Sequence, residues 1–281
     1  MTTVLDIQRF KDEGRRFAVL TAYDFLSARI LDEAGIPILL VGDSLGMVML
    51  GHPTTLPVTL DDMLHHARAV ARGSRQALLV GDLPFMSYQV STEQAIASAG
   101  RFIQEAGMHA VKLEGGGPVI EITRRLAEIG IPVMGHLGLT PQSVHTMGGF
   151  KVQGKTEAQA ARIMSDAKAL EQAGAFSVVL EGMPSRLANT ITQTLRIPTI
   201  GIGAGPGTDG QVLVLHDMLG LTTGKAPKFV KRYANLAEDI ARAATAYSDD
   251  VRTGTFPGPE HEYSANGSAP AKDREEVRYG G

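Results

Sequence analysis

The chain contains no cysteine and no tryptophan, and aromatic residues make up only 5% of it. Without cysteine there is no disulfide, no thiolate metal site and no cysteine nucleophile. No apolar run reaches the roughly 18 residues needed to span a bilayer. The first residues include Asp6, Asp12 and Glu13 and lack a continuous apolar stretch, so no secretory signal is expected. A strong excess of one charge is missing too. The formal net charge of −3 gives no field favouring nucleic acid or an anionic membrane. What remains is a globular chain of 281 residues, 43% hydrophobic, with enough apolar mass for a sizeable core and a cytoplasmic location as the default.

One five-residue phrase occurs twice. Leu39-Leu40-Val41-Gly42-Asp43 recurs as Leu78-Leu79-Val80-Gly81-Asp82. A short continuous apolar run is how a strand buried on both faces reads, and such strands belong to parallel sheets. Between the copies, residues 59–71 carry a helical pattern. The unit is therefore strand, helix, strand, with two parallel neighbours ending in Asp at the same height.

The alternation continues along the chain. Apolar strands are expected over 17–22, 38–43, 77–82, 110–114, 132–136, 176–181, 198–203 and 211–216. Several follow a helix that ends in Gly, as in Asp32-Glu33-Ala34-Gly35 and Glu171-Gln172-Ala173-Gly174. Six of the seven intervals have room for a helix; the interval between the last two strands does not. Thr59 with Asp62, Ser91 with Gln94 and Thr156 with Gln159 have the spacing of helix caps. A short N-terminal helix is expected over 3–13, capped by Thr3, and a final helix over 229–247. Eight such units imply a single α/β domain, a (β/α)8 TIM barrel over 1–263. A doubly wound open sheet fits them less well. Residues 264–281 are almost devoid of apolar side chains and read as a disordered tail.

Barrel enzymes work at the C-terminal ends of their strands. Here those ends read Asp24, Asp43-Ser44, Asp82, Lys112 with Glu114, His136, Glu181, Gly203 and His216-Asp217. Two long segments, 45–58 and 137–155, follow strands two and five and suit substrate walls or lids. Asp43, Asp82 and Glu114 end consecutive strands. Three adjacent carboxylates repel unless a proton or a cation sits among them. Oxygen-only ligands select a hard ion such as Mg²⁺. The plainer alternative is that each Asp caps the helix or turn that follows. Lys112 shares a face with Glu114 and suits an anionic substrate, against a Schiff-base role or a plain salt bridge. Glu181, alone after Val178-Val179-Leu180, is expected to be partly desolvated across the barrel from the metal, as suits a general base. A rim salt bridge is the competing reading. Gly201-Ile202-Gly203-Ala204-Gly205 reads either as a phosphate cradle or as a crowded turn.

These residues also fall into motifs. Thr21-Ala22-Tyr23-Asp24, Val41-Gly42-Asp43-Ser44-Leu45-Gly46, Gly81-Asp82-Leu83-Pro84-Phe85, Lys112-Leu113-Glu114-Gly115-Gly116, Gly135-His136-Leu137-Gly138-Leu139-Thr140-Pro141-Gln142 and Leu180-Glu181-Gly182-Met183-Pro184 resemble the ketopantoate hydroxymethyltransferase family. The resemblance covers roughly residues 3–263. It implies transfer of a hydroxymethyl group from 5,10-methylenetetrahydrofolate to 3-methyl-2-oxobutanoate through a metal-stabilised enolate. The product is 2-dehydropantoate, on the way to pantothenate and coenzyme A. It further implies one Mg²⁺ per subunit on Asp43, Asp82 and Glu114, substrate held by Ser44 and Lys112 with Asp43 and Asp82 near it, and Glu181 as proton acceptor. His136 and Tyr23 would line the pocket, and the chains would form homo-oligomers, often decamers. A competing expectation is a Mg²⁺-dependent C–C lyase of the phosphoenolpyruvate mutase and isocitrate lyase type. Isocitrate lyase-like members rely on a lid cysteine, absent here. A silent, ligand-binding barrel would be expected to have lost site residues, and none is missing.

Overall fold

The apolar runs become strands because both of their faces are covered. All residues of β2 (Ile38–Val41), β3 (Leu78–Asp82) and β4 (Ala110–Glu114) are buried. With β1 (Phe17–Thr21), β5 (Val133–Gly138), β6 (Ser177–Glu181), β7 (Thr199–Ile202) and β8 (Gly210–Leu213) they form a closed parallel barrel in chain order. Pairing of Phe17 with Gly210 through Leu20 with Leu213 joins β1 to β8 and leaves no free edge. The structure, a computed structural model, describes residues 1–222, 224 and 226–263. These divide into two compact units that meet in sequence between Ala234 and Asn235. The expected tail, 264–281, lies outside the described residues.

Helices fill the intervals as their caps foretell. A short α1 (Val4–Asp12) precedes β1, and Thr3 and Asp6 make a reciprocal capping box at its start. Between the strands run α2 (Phe25–Glu33), the one-turn α3 (Leu45–Val48), α4 (Leu60–Gly73), α5 (Thr92–Gln104), α6 (Pro118–Glu128), α7 (Glu157–Gln172) and α8 (Ser185–Thr194). Thr59 and Thr156 each close a capping box, and Ser91 accepts the N–H of Gln94. Each satisfied cap contributes about 1 kcal/mol. No helix separates β7 from β8, as the short interval required. A one-turn α9 (Leu215–Met218) follows β8, so that strand stops at Leu213 and His216 lies on a helix. The final helix, α10 (Leu236–Thr253), starts at Leu236 rather than at 229; the Phe229 ring packs against Gly203 outside it. Alpha10 belongs to the second unit.

Inside the barrel Val19, Leu40, Val80, Met134, Val179 and Ile200 pack together, and Ile7 of α1 joins them. Lys11 binds Asp209 at 2.8 Å and Gln8 reaches the Arg196 carbonyl, both residues lying just before strands. Alpha1 therefore plugs the N-terminal mouth, and the C-terminal mouth holds the polar side chains. No described helix is long and apolar enough to cross a membrane.

Candidate active site

The polar end of the barrel is assembled from strand register. Asp82 pairs with Lys112 and Glu114 with His136 across adjacent strands, and side chains in register on parallel strands point the same way. Asp43 comes two residues after β2, on the turn that opens α3. Its backbone N–H donates to Asp82 Oδ2 at 3.4 Å. Ligand oxygens of Asp43, Asp82 and Glu114 all lie within 4.8 Å of one another. All three residues are buried, as is Lys112.

Lys112 Nζ donates to both Asp82 oxygens at 2.8 Å and to Glu114 Oε1 at 3.1 Å. Burial alone would push this ammonium down; the charges of Asp82, Glu114 and Asp43 outweigh it and hold the proton on. Burial would raise Glu114 too, but Lys112 and His136 overcome it and bring the carboxyl to about 2. Asp43 is the contrast. Burial, then the charges of Asp82 and Glu114, push its carboxyl well above the ordinary range. Asp82 is raised as well, by burial that Lys112 only partly offsets. Lys112 thus pairs with Asp82 and Glu114 and His136 with Glu114, while Asp43 has no ion-pair partner among the described residues. An all-oxygen donor set with unmet negative charge fits a hard divalent cation.

His136 is not at the end of its strand. Beta5 runs on to Gly138, and the imidazole sits inside the barrel between two acids. Its Nδ1 lies 3.1 Å from Glu114 Oε1 and its Nε2 lies 3.2 Å from Glu181 Oε2, the second contact too poorly directed for a hydrogen bond. Burial and Lys112 disfavour the charged ring, yet the two carboxylates prevail and push it up to about 9. Glu181 ends β6 and is 15% exposed, far more open than the acids of β3 and β4. It is joined to Glu114 through one imidazole, closer than a position across the barrel implies. Gly138 is required here: it has φ +95°, and a Cβ would run into the Glu181 carbonyl.

Ser44 and Tyr23 form a pair. The Tyr23 hydroxyl and Ser44 Oγ are 2.8 Å apart. Ser44 lines the cavity above the acids, whereas Tyr23 is buried behind it, does not line the cavity, and is raised above its ordinary range by burial. Asp24 has the plain role of capping α2, accepting the Ser27 N–H. Gly201 and Gly205 are crowded by Thr208 and Ser185, and Gly203 by Phe229. These contacts account for the glycine-rich turn without a phosphate.

Two residues were missed. Gln142, 6% exposed, donates to Asp43 Oδ2 and to the Leu83 carbonyl, each at 2.9 Å, and its backbone N–H reaches Glu114 Oε2 at 3.1 Å. Tyr88 donates its hydroxyl to Gln142 Oε1 at 2.7 Å. Gln142 closes the motif of residues 135–142, but an amide advertises no chemistry; Tyr88 lies in a segment with no signal. Above the acids opens a cavity of about 1310 Å³, whose outer wall includes His52, Phe150, Lys151, Lys228 and Phe229.

The chain is similar to known proteins along nearly all its length. A family model described as ketopantoate hydroxymethyltransferase matches residues 1–259. The 3-methyl-2-oxobutanoate hydroxymethyltransferase of Syntrophus aciditrophicus (strain SB) is 60% identical over 257 residues, 92% of this chain and 94% of that protein. The protein of the same name from Syntrophotalea carbinolica is 58% identical over 262 residues, covering 93% and 98%. Among solved structures, a phosphonopyruvate hydrolase with oxalate and Mg²⁺ superposes with TM-score 0.59 at 14% identity, over 94% of this chain and 93% of that one. A 2,3-dimethylmalate lyase gives TM-score 0.59 at 19% identity, over 94% and 89%. At such identities these two share the fold alone.

Proposed function

Because the chain belongs to the ketopantoate hydroxymethyltransferase family and is a transferase, we propose that it moves a hydroxymethyl group from 5,10-methylenetetrahydrofolate to 3-methyl-2-oxobutanoate, giving 2-dehydropantoate for pantothenate and coenzyme A synthesis. The observation that carries this reading is the buried convergence of Asp43, Asp82 and Glu114 beside Lys112. Asp43 and Asp82, with Glu114 directly or through water, would hold Mg²⁺. Bound there, the ion supplies Lewis-acid polarisation of the 2-oxo carbonyl.

The protein's own groups account for the rest. Lys112 offsets the substrate carboxylate, and Ser44 offers its hydroxyl and backbone N–H to the same anion. Glu181, the most open of the acids, takes the proton from C3, which then bonds to the methylene carbon of the donor; the carbon–nitrogen bonds to the folate break, water supplies the hydroxyl, and tetrahydrofolate leaves. His136 faces Glu181 at 3.2 Å with a ring that the neighbouring carboxylates favour in its charged form. Tyr23 acts from behind, fixing the Ser44 hydroxyl. The cavity supports a two-substrate reaction, since about 300–1,000 Å³ already suffices for a drug-sized ligand and the keto acid is far smaller. Homo-oligomers and a cytoplasmic location complete the proposal.

Exchange of the C3 hydrogen of 3-methyl-2-oxobutanoate in D₂O, followed by NMR without folate, tests it. Exchange should require Mg²⁺, stop with EDTA, and fall about 10²–10⁴-fold in Glu181→Gln with KM little changed. Folded protein that gives no exchange with Mg²⁺ would refute the scheme.

A further inference from the structure

The acids do not stand alone: one residue behind them, Gln142, touches two of the three, Asp43 through its side chain and Glu114 through its backbone N–H. Gln142 follows β5, while Asp43 follows β2 and Glu114 ends β4, so its contacts tie three strands of the barrel together. The amide orientation is unambiguous. Its Nε2 faces the Leu83 carbonyl and the Asp43 carboxylate, which only accept, and its Oε1 faces the Tyr88 hydroxyl and Gln89 Nε2, which donate. Reversal would set an oxygen against two acceptors in a buried site, and the cost of such unpaired groups holds the side chain in one pose. Tyr88 braces it further, since its oxygen also receives the Glu114 N–H at 3.2 Å. Gln142 engages Asp43 Oδ2 and leaves Oδ1 without a protein donor among the described residues. Its backbone N–H engages Glu114 Oε2, opposite the oxygen held by Lys112.

We propose that Gln142, braced by Tyr88, is a positioning residue that turns the second oxygen of Asp43 toward a divalent cation and fixes the Glu114 carboxylate beside it. The inference rests on the metal-binding reading above. It assigns to the segment after β5 a part in cation affinity that the acids alone do not explain. Partners that orient metal ligands change affinity or activity by about 10–100-fold when removed.

Titration of the full chain with Mn²⁺ alone, read by electron paramagnetic resonance or calorimetry, tests this, with circular dichroism checking the fold. Gln142→Leu roughly keeps the volume and removes the side-chain amide, losing its bonds to Asp43 and the Leu83 carbonyl while the backbone N–H to Glu114 stays. It should bind Mn²⁺ about 10–100-fold more weakly, and raising Mg²⁺ should restore most of its turnover. A folded Gln142→Leu with wild-type Mn²⁺ affinity overturns the proposal and leaves the metal site standing. Should that variant not fold, Tyr88→Phe decides: a several-fold loss of affinity supports the brace, and unchanged affinity overturns it. Wild-type protein that binds no Mn²⁺ overturns both this inference and the reading beneath it.

Discussion

Lys112 makes three hydrogen bonds to buried carboxylates before any substrate arrives. It is a structural counter-ion as well as a candidate substrate clamp. Lys112→Met should therefore cost about 3–5 kcal/mol in EDTA, because breaking a buried ion pair strands its partners. Calorimetry should show Tm lower by roughly 10 °C, partly recovered by Mg²⁺, and KM should rise more than kcat falls. His136 adds a pH signature. Its folded value of about 9 exceeds the ordinary 6.5, so its stabilisation is complete below 6.5 and is lost as pH rises through about 9. In metal-free protein, denaturant titrations of wild type should show this alkaline decline, and His136→Asn should lack it. The acids and Lys112 were legible because each closes or shares a strand and the strands repeat. The links of His136 to Glu114 and Glu181 were not, because they depend on a strand that runs two residues past the histidine.

At the scale of elements, the opposite rim has its own polar device. Asp32, near the end of α2, accepts the Ser74 hydroxyl at 2.6 Å and the backbone N–H groups of Arg75, Gln76 and Ala77 at 2.8–2.9 Å. It clamps the turn between α4 and β3. Burial raises its carboxyl, but these four partners outweigh that and hold it below the ordinary 3.8. Asp32→Ala should cost about 3 kcal/mol at neutral pH. With a depressed folded value, the benefit is full above 3.8 and disappears as pH falls below it. Urea titrations of wild type and variant should thus converge in acid. Asp32 lies within the Asp-Glu-Ala-Gly phrase read only as the end of a helix, and nothing local tells of partners 42 to 45 residues further along the chain. Caps such as Thr3, Thr59 and Thr156 were readable because their partner is three residues on.

For the whole molecule, the barrel class followed from counting apolar runs, and the missing helix between β7 and β8 from the length of one interval. The start of α10 differs from the expected 229 by seven residues because an alanine-rich composition marks a helix without marking its first turn. The proposed assembly is checked by sedimentation: the chain should run well above the 29.9 kDa of a monomer, and a monomeric mass at micromolar concentration would remove that expectation. The plug formed by α1 has a kinetic corollary. With the lower mouth filled by Ile7 and its neighbours, reactants and products share one doorway, and the acids sit at its far end. On the proposed reaction, the small keto acid would go in before the bulky carrier stands in the passage, and the lengthened acid would leave after the spent carrier has stepped out. Traffic would then be first in and last out, and product-inhibition patterns would record that order.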